Sequence, residues 1–120
     1  MNRFYFAFAA VTISAFAHTA IAQELTTGQK LFADNCVRCH GNKGQGGIGL
    51  KLAGDAAYWD FDNFKRAVLM GVDDQGKRLK PIMPVFSKVG LAKPKGDVPN
   101  DTQLKSIQAY LVTLAPKAAN

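Results

Sequence analysis

The chain has 120 residues and a formal net charge of +6, from 15 basic and 9 acidic side chains; this length predicts one domain. A structural zinc wants four Cys or His ligands; the chain has two Cys and two His, and one of these, His18, lies in an N-terminal segment expected to be removed, which leaves three. The lysines are scattered and not interleaved with aromatics, which argues against nucleic acid as a partner.

Residues 1–22 read as a cleavable secretory signal. Arg3 supplies a positive start, Phe4 to Ala17 is uncharged and largely apolar, and Ala20-Ile21-Ala22 is an A-x-A cleavage site before Gln23. The competing reading is an uncleaved membrane anchor, but Phe4 to Ala22 is barely long enough to span a bilayer and carries His18. No other stretch approaches spanning length, so residues 23–120 are expected to form a soluble exported domain with no stable membrane span. Removing the signal takes away one basic residue and leaves a charge of +5. A basic surface suits acidic protein partners, although scattered lysines also serve simply to keep a surface solvated.

Glu24 to Val37 is predicted to be a helix, with Thr26 or Thr27 as its cap. Leu25, Gly28, Phe32 and Cys36 fall on one face at helical spacing. Gly28 lowers helix propensity, so its expected purpose is to let another helix approach closely.

The helix leads into Cys36-Val37-Arg38-Cys39-His40, which reads C-x-x-C-H, the attachment signature of c-type haem. Two thiols on one helical turn can form thioethers at one edge of a porphyrin, and the following His then lies beneath the ring. Cys36 and Cys39 are thus expected to hold the haem covalently, and His40 to be the proximal iron ligand. A redox dithiol would want a βαβ setting, and no convincing strand pattern flanks the motif. Export also favours haem, because thioether linkage removes both thiols from oxidising surroundings.

Gly41 to Gly54 is a Gly-rich loop without the G-K-[ST] of a phosphate cradle. A supple backbone hugging the porphyrin edge is expected here, with one of its carbonyls accepting the His40 Nδ1–H bond. Leu50 and Leu52 are candidates for lining the proximal pocket, or for the core. A middle helix follows within Ala56 to Met70, started by Asp60 or Asp62 and closed by Gly71. Phe61, Phe64 and Val68 make its inner face. Tyr58 and Trp59 can donate hydrogen bonds to a haem propionate or pack at the rim.

Asp73 to Gly76 is a polar turn, and Pro81 and Pro84 force the stretch from Leu79 to Phe86 into an extended path. Such a loop can carry Met83 across the open haem face with its thioether toward iron. Met70 is the rival, but it projects opposite Phe61, away from the core. Gly90 to Pro99 is a Lys/Pro/Gly connector. The last helix is expected from Asn100 to Leu114, with Asn100 and Gln103 as a capping box and Pro116 as its stop. Leu104, Ile107, Leu111 and Leu114 form its apolar stripe, with Tyr110 on the flank. Internal repeats are absent from the sequence.

In combination, C-x-x-C-H, a Met between prolines and an aromatic-bearing terminal helix make the chain resemble a class I c-type cytochrome over essentially all of residues 23–120. The resemblance implies an all-α cytochrome c fold, with N- and C-terminal helices crossing around a covalently bound haem. It maps the thioethers to Cys36 and Cys39, the axial ligands to His40 and Met83, the first-helix contacts to Gly28 and Phe32, and the last-helix aromatic to Tyr110. One departure is plain. Many members carry a proline in the loop after the motif, where a carbonyl bonds the His, whereas here the stretch is Leu50-Lys51-Leu52.

The function expected is that of a periplasmic carrier of single electrons, not an enzyme, with one haem c per chain. Its partners would be redox proteins, with an exported dehydrogenase as donor and an oxidase or another cytochrome as acceptor. The alternatives are a fixed cytochrome subunit of an exported dehydrogenase, which the resemblance of Tyr58 to Phe86 to small bacterial cytochromes allows, and a haem peroxidase or gas sensor. The last two need an open sixth iron position, which Met83 would fill.

Overall fold

The computed structural model describes residues 15–115, which form five α-helices and one 3-10 turn, with no strand among them. Helix α1 spans Ala15–Asn35, starting nine residues before the predicted Glu24 and ending two before Val37. The cause of the early start is an alanine-rich stretch with no helix breaker, which continues the helix upstream. Thr26 therefore caps nothing: its Oγ1 donates to the Ala22 carbonyl one turn back, at 2.8 Å. Residues 17–24 are all exposed, and the buried face begins at Gly28. The Arg3 end of the expected signal and most of its apolar stretch lie outside the described residues.

Helix α2 is the single turn Val37–His40. After a long loop, the 3-10 turn Ala56–Tyr58 leads into α3, Phe61–Met70. Asp60 stands at the N-cap position of α3, and Gly71 closes it in the left-handed conformation, φ 69° and ψ 39°, donating its N–H to the Ala67 carbonyl. A short antiparallel bridge between Val72 and Arg78 turns the expected polar stretch into a hairpin. A four-residue helix, α4 (Phe86–Val89), follows the two prolines and was not foreseen.

Helix α5 spans Asp101–Leu114. Its capping box is complete, with Gln103 N donating to Asn100 Oδ1 at 2.9 Å and Asn100 N to Gln103 Oε1 at 3.0 Å. Ala115 turns extended at φ −72° and ψ 133°, the conformation preferred before proline, while Pro116 itself lies outside the described residues.

α1 and α5 cross tightly. A Cβ on Gly28 would overlap the Ser106 carbonyl of α5, so the small residue is what sets the approach. Phe32 then stacks on Tyr110 with ring centroids 5.7 Å apart, tilted by 53°. Phe32, Leu104 and Leu111 are fully buried there, and each such side chain contributes roughly 1.5–3 kcal/mol. Leu31, Phe64, Phe86, Leu91 and Ile107 complete the core. Leu91 is a correction of sorts, since it lies in the polar connector yet reaches the core. This all-α arrangement of crossing terminal helices is the one expected.

Candidate cofactor site

The site is built where α1 ends. The Cys36 N–H donates to the Phe32 carbonyl at 2.8 Å, and the His40 N–H to the Cys36 carbonyl at 3.0 Å, so the helical turn places Cys36, Cys39 and His40 by backbone bonding alone. Both cysteines are free thiols and half-buried. Burial, with a smaller contribution from Cys39, pushes the Cys36 thiol up to about 12. At neutral pH Cys36 is a thiol and not a nucleophilic thiolate, which is contrary to what a disulfide-exchange centre requires.

His40 is buried, and its Nδ1–H donates to the Leu50 carbonyl at 2.7 Å, while its Nε2 has no hydrogen-bond partner among the described residues. The loop after it wraps the motif closely. Gly46 N donates to the His40 carbonyl and Gly49 N to the Cys39 carbonyl, both at 2.8 Å. A Cβ on Gly49 would stand 2.7 Å from His40 Cε1 and 2.8 Å from Nδ1. The expected supple loop is thus bonded to the motif, and its Gly49 lies against the imidazole. The missing proline makes no difference to the bond, because Leu50 supplies the carbonyl while its side chain is 71% exposed. Leu52 packs against the core.

The segment holding Met83 is clamped at both ends. At its start, Leu79 N donates to the Gly71 carbonyl at 2.8 Å, and Arg66 Nη2 to the Asp73 carbonyl of the hairpin at 2.7 Å. At its end, Ser87 Oγ donates to the Leu69 carbonyl, pinning α4 to α3. Met83 is half-buried against the core, whereas Met70 is 59% exposed at the end of α3. Trp59 is not free for a propionate, since its Nε1–H donates to Asp55 Oδ1 at 3.2 Å, and Tyr58 is exposed.

Two features escaped the sequence reading. Gly49 is one glycine among several in a Gly-rich run, and only its contact with His40 singles it out. Asn35 gave no signal at all. Its Oδ1 accepts from Ala92 N at 2.8 Å and Lys93 N at 3.1 Å, and its Nδ2 donates to the Leu31 and Lys93 carbonyls at 2.9 Å, tying the approach to Cys36 to the 90–97 loop.

The donor set fits a c-type haem: paired free thiols on one turn, an imidazole oriented through Nδ1, a glycine against that ring, and a half-buried thioether packed on the core. Among the described residues no group of three or more His, Cys, Asp or Glu could hold a metal ion by itself, and no helix is long and apolar enough to cross a membrane.

Among curated proteins and among solved structures nothing matches the chain. A family match covers residues 23–111, most of the chain, including the Cys36–His40 motif, the loop that holds Met83 and most of the α1–α5 crossing. With the all-α fold it gives the protein a haem-based electron-transfer role, for which the family implies covalently bound haem c and redox partner proteins. The chain belongs to the cytochrome c family described as cytochrome C oxidase, cbb3-type, subunit III.

Proposed function

We propose that the protein is a periplasmic mono-haem carrier of single electrons, with Cys36 and Cys39 in thioether linkage and His40 and Met83 as axial ligands. When bound, the haem supplies a one-electron iron couple. The observation that carries the reading is the His40 Nδ1–H bond to the Leu50 carbonyl at 2.7 Å. It fixes the tautomer and would leave Nε2, made more basic, as the atom to ligate iron. Met83 offers a soft thioether, which raises the potential relative to harder donors. With His40 and Met83 both holding the iron, no position would be left for a bound substrate, which favours an electron carrier over an enzyme.

Export is supported by the apolar start with its A-x-A site, by the exposure of residues 17–24, and by a family match that starts at residue 23. Cleavage after Ala22 would keep Gly28, Leu31 and Phe32, the buried positions of α1. The partners are acidic redox proteins, an exported dehydrogenase on the donor side and an oxidase or another cytochrome on the acceptor side. Because the matched family is described as an oxidase subunit, a fixed place in a larger complex is the second reading; co-purification of the tagged chain with a haem or flavin enzyme would favour it over a free carrier.

The test of the first reading is the covalent bond. Protein from the exported fraction, denatured and extracted with acid acetone, is expected to keep the mass of one haem on a chain that starts at Gln23. A correctly exported chain without that added mass would refute it.

A further inference from the structure

Residues 60–97 form a body whose hydrogen bonds close on themselves. Within it Leu79 N donates to the Gly71 carbonyl at 2.8 Å, Met83 N to the Lys80 carbonyl at 3.1 Å, and Ser87 Oγ to the Leu69 carbonyl, so the Met83 segment is fastened to α3 and to itself. Its last turn is shut by Leu91 N on the Asp97 carbonyl and Gly96 N on the Leu91 carbonyl, both at 2.8 Å. The chain on either side is fixed on α5: Gln108 Nε2 donates to the Trp59 carbonyl at 2.7 Å, and Asn100 is locked in its capping box. Three kinds of contact join this body to the α1–α5 frame among the described residues. Apolar packing of Phe64, Phe86 and Leu91 is one. Charged side chains are the second, with Lys65 2.7 Å from Asp101, Lys93 4.0 Å from Asp34 and Lys105 5.0 Å over the Phe61 ring; exposed pairs of this kind contribute little. The third is Asn35, one residue before Cys36. Both donors and both lone pairs of its amide are used, and three of those four bonds go to Ala92 and Lys93.

We propose that Asn35 is a positioning residue that acts as a clasp: its amide latches the body of residues 60–97 onto the motif end of α1, and its release lets that body swing out and carry Met83 off the iron in one piece. The inference rests on the reading of Met83 as an axial ligand and adds what holds it in place. Freeing Met83 alone would break the Leu79, Met83 and Ser87 bonds together. Swinging the whole body keeps all of these. It breaks the bonds of a single side chain and loosens apolar contacts, which have no direction of their own. The cheaper opening is thus the collective one, a local unfastening of the kind that leaves most of a structure intact. Its pivots are set by the two points fixed on α5, at Trp59 and at Asn100. Asn35 suits the task by its place, since it joins the Met83-bearing body to the residue that precedes the first thiol. The two halves of the ligand set are therefore held together through one amide that touches neither His40 nor Met83.

The test uses the full haem-loaded ferric protein, titrated with imidazole as an added ligand that enters only when Met83 leaves. The near-infrared sulfur-to-iron band, recorded first, shows whether Met83 is bound, so failure of the ligand assignment is seen before imidazole is added. Because imidazole takes only the open form, its apparent affinity scales with the open fraction. Asn35→Ala is expected to raise that affinity about tenfold, as loss of bonds made only in the closed form predicts, with the band still present when imidazole is absent. Gly28→Ala, which weakens the frame and leaves the clasp alone, should stay within about twofold of the parent, as a change at an independent site does. A second measurement needs no variant. In the parent, amide exchange followed with and without imidazole reads which piece moves: Ala92 and Lys93 should lose protection, while Leu79, bonded inside the body, keeps it. Unchanged imidazole affinity in Asn35→Ala, or an equal rise in Gly28→Ala, would overturn the proposal. So would loss of protection at Leu79 with Ala92 and Lys93 unaffected, since Met83 would then leave by a flip of its own loop.

Discussion

Two thioethers compete for one role, and their surroundings differ. Met83 is half-buried against the core on a loop fastened at both ends, whereas Met70 is 59% exposed. In the haem-loaded protein, Met83→Ala is expected to abolish the near-infrared sulfur-to-iron charge-transfer band and to lower the reduction potential. Met70→Leu should leave both nearly unchanged; loss of the band in that variant would move the assignment to Met70. Asn35 is the other residue on which much depends. Asn35→Ala removes four hydrogen bonds and leaves two loop N–H groups without their acceptor. It should cost about 2 kcal/mol, read from urea unfolding. The Cys36/Cys39/His40 group was legible because attachment chemistry dictates its spacing. Asn35 was not, because its loop partners lie 57 and 58 residues away and an Asn at a helix end has many uses.

Among the elements, α1 and α5 make the frame, and Gly28 sets their separation. Gly28→Ala pushes a methyl group into the Ser106 carbonyl. Although alanine is the better helix former, the overlap should win and cost about 2–3 kcal/mol, lowering the urea midpoint with the slope unchanged. A stability equal to or above the parent's would mean that the helices part at no cost. The periodic stripes of α3 and α5 were legible because burial on one side leaves a helical spacing in the sequence. The beginning of α1 was not, since an alanine-rich stretch propagates a helix without burying anything. α4 was hidden by its length: four residues have no period, and what holds them is Phe86 in the core and Ser87 on the Leu69 carbonyl. The hairpin between Val72 and Arg78 was foreseen only as a turn, because its lock is Arg66, a residue of α3 reaching over to the Asp73 carbonyl.

For the whole molecule, the core is lean. Five of the thirteen buried apolar residues among those described are alanines, and residues 23–120 make a short chain for a self-sufficient interior. The cofactor's apolar surface is therefore expected to carry much of the folding free energy. A Cys36→Ser/Cys39→Ser chain without haem should show weak helical circular dichroism and no cooperative melt, against a sharp transition in the haem-loaded parent. A sharp melt of the haem-free chain would show that the α1–α5 crossing is sufficient on its own. The hold on His40 has a further consequence, for what heredity can register. The group that accepts its proton belongs to the backbone of position 50, so no change of letter there deletes it, and the leucine side chain is left to drift. The constraint is displaced one residue upstream, onto a glycine that touches the imidazole and makes no bond with it. In a library covering both positions, selected for covalent haem after export, Leu50→Ala should survive with its absorption spectrum intact. Gly49→Ala should be depleted or come through with altered His ligation; equal survival of the two would mean that the loop yields and the fit at Gly49 is incidental.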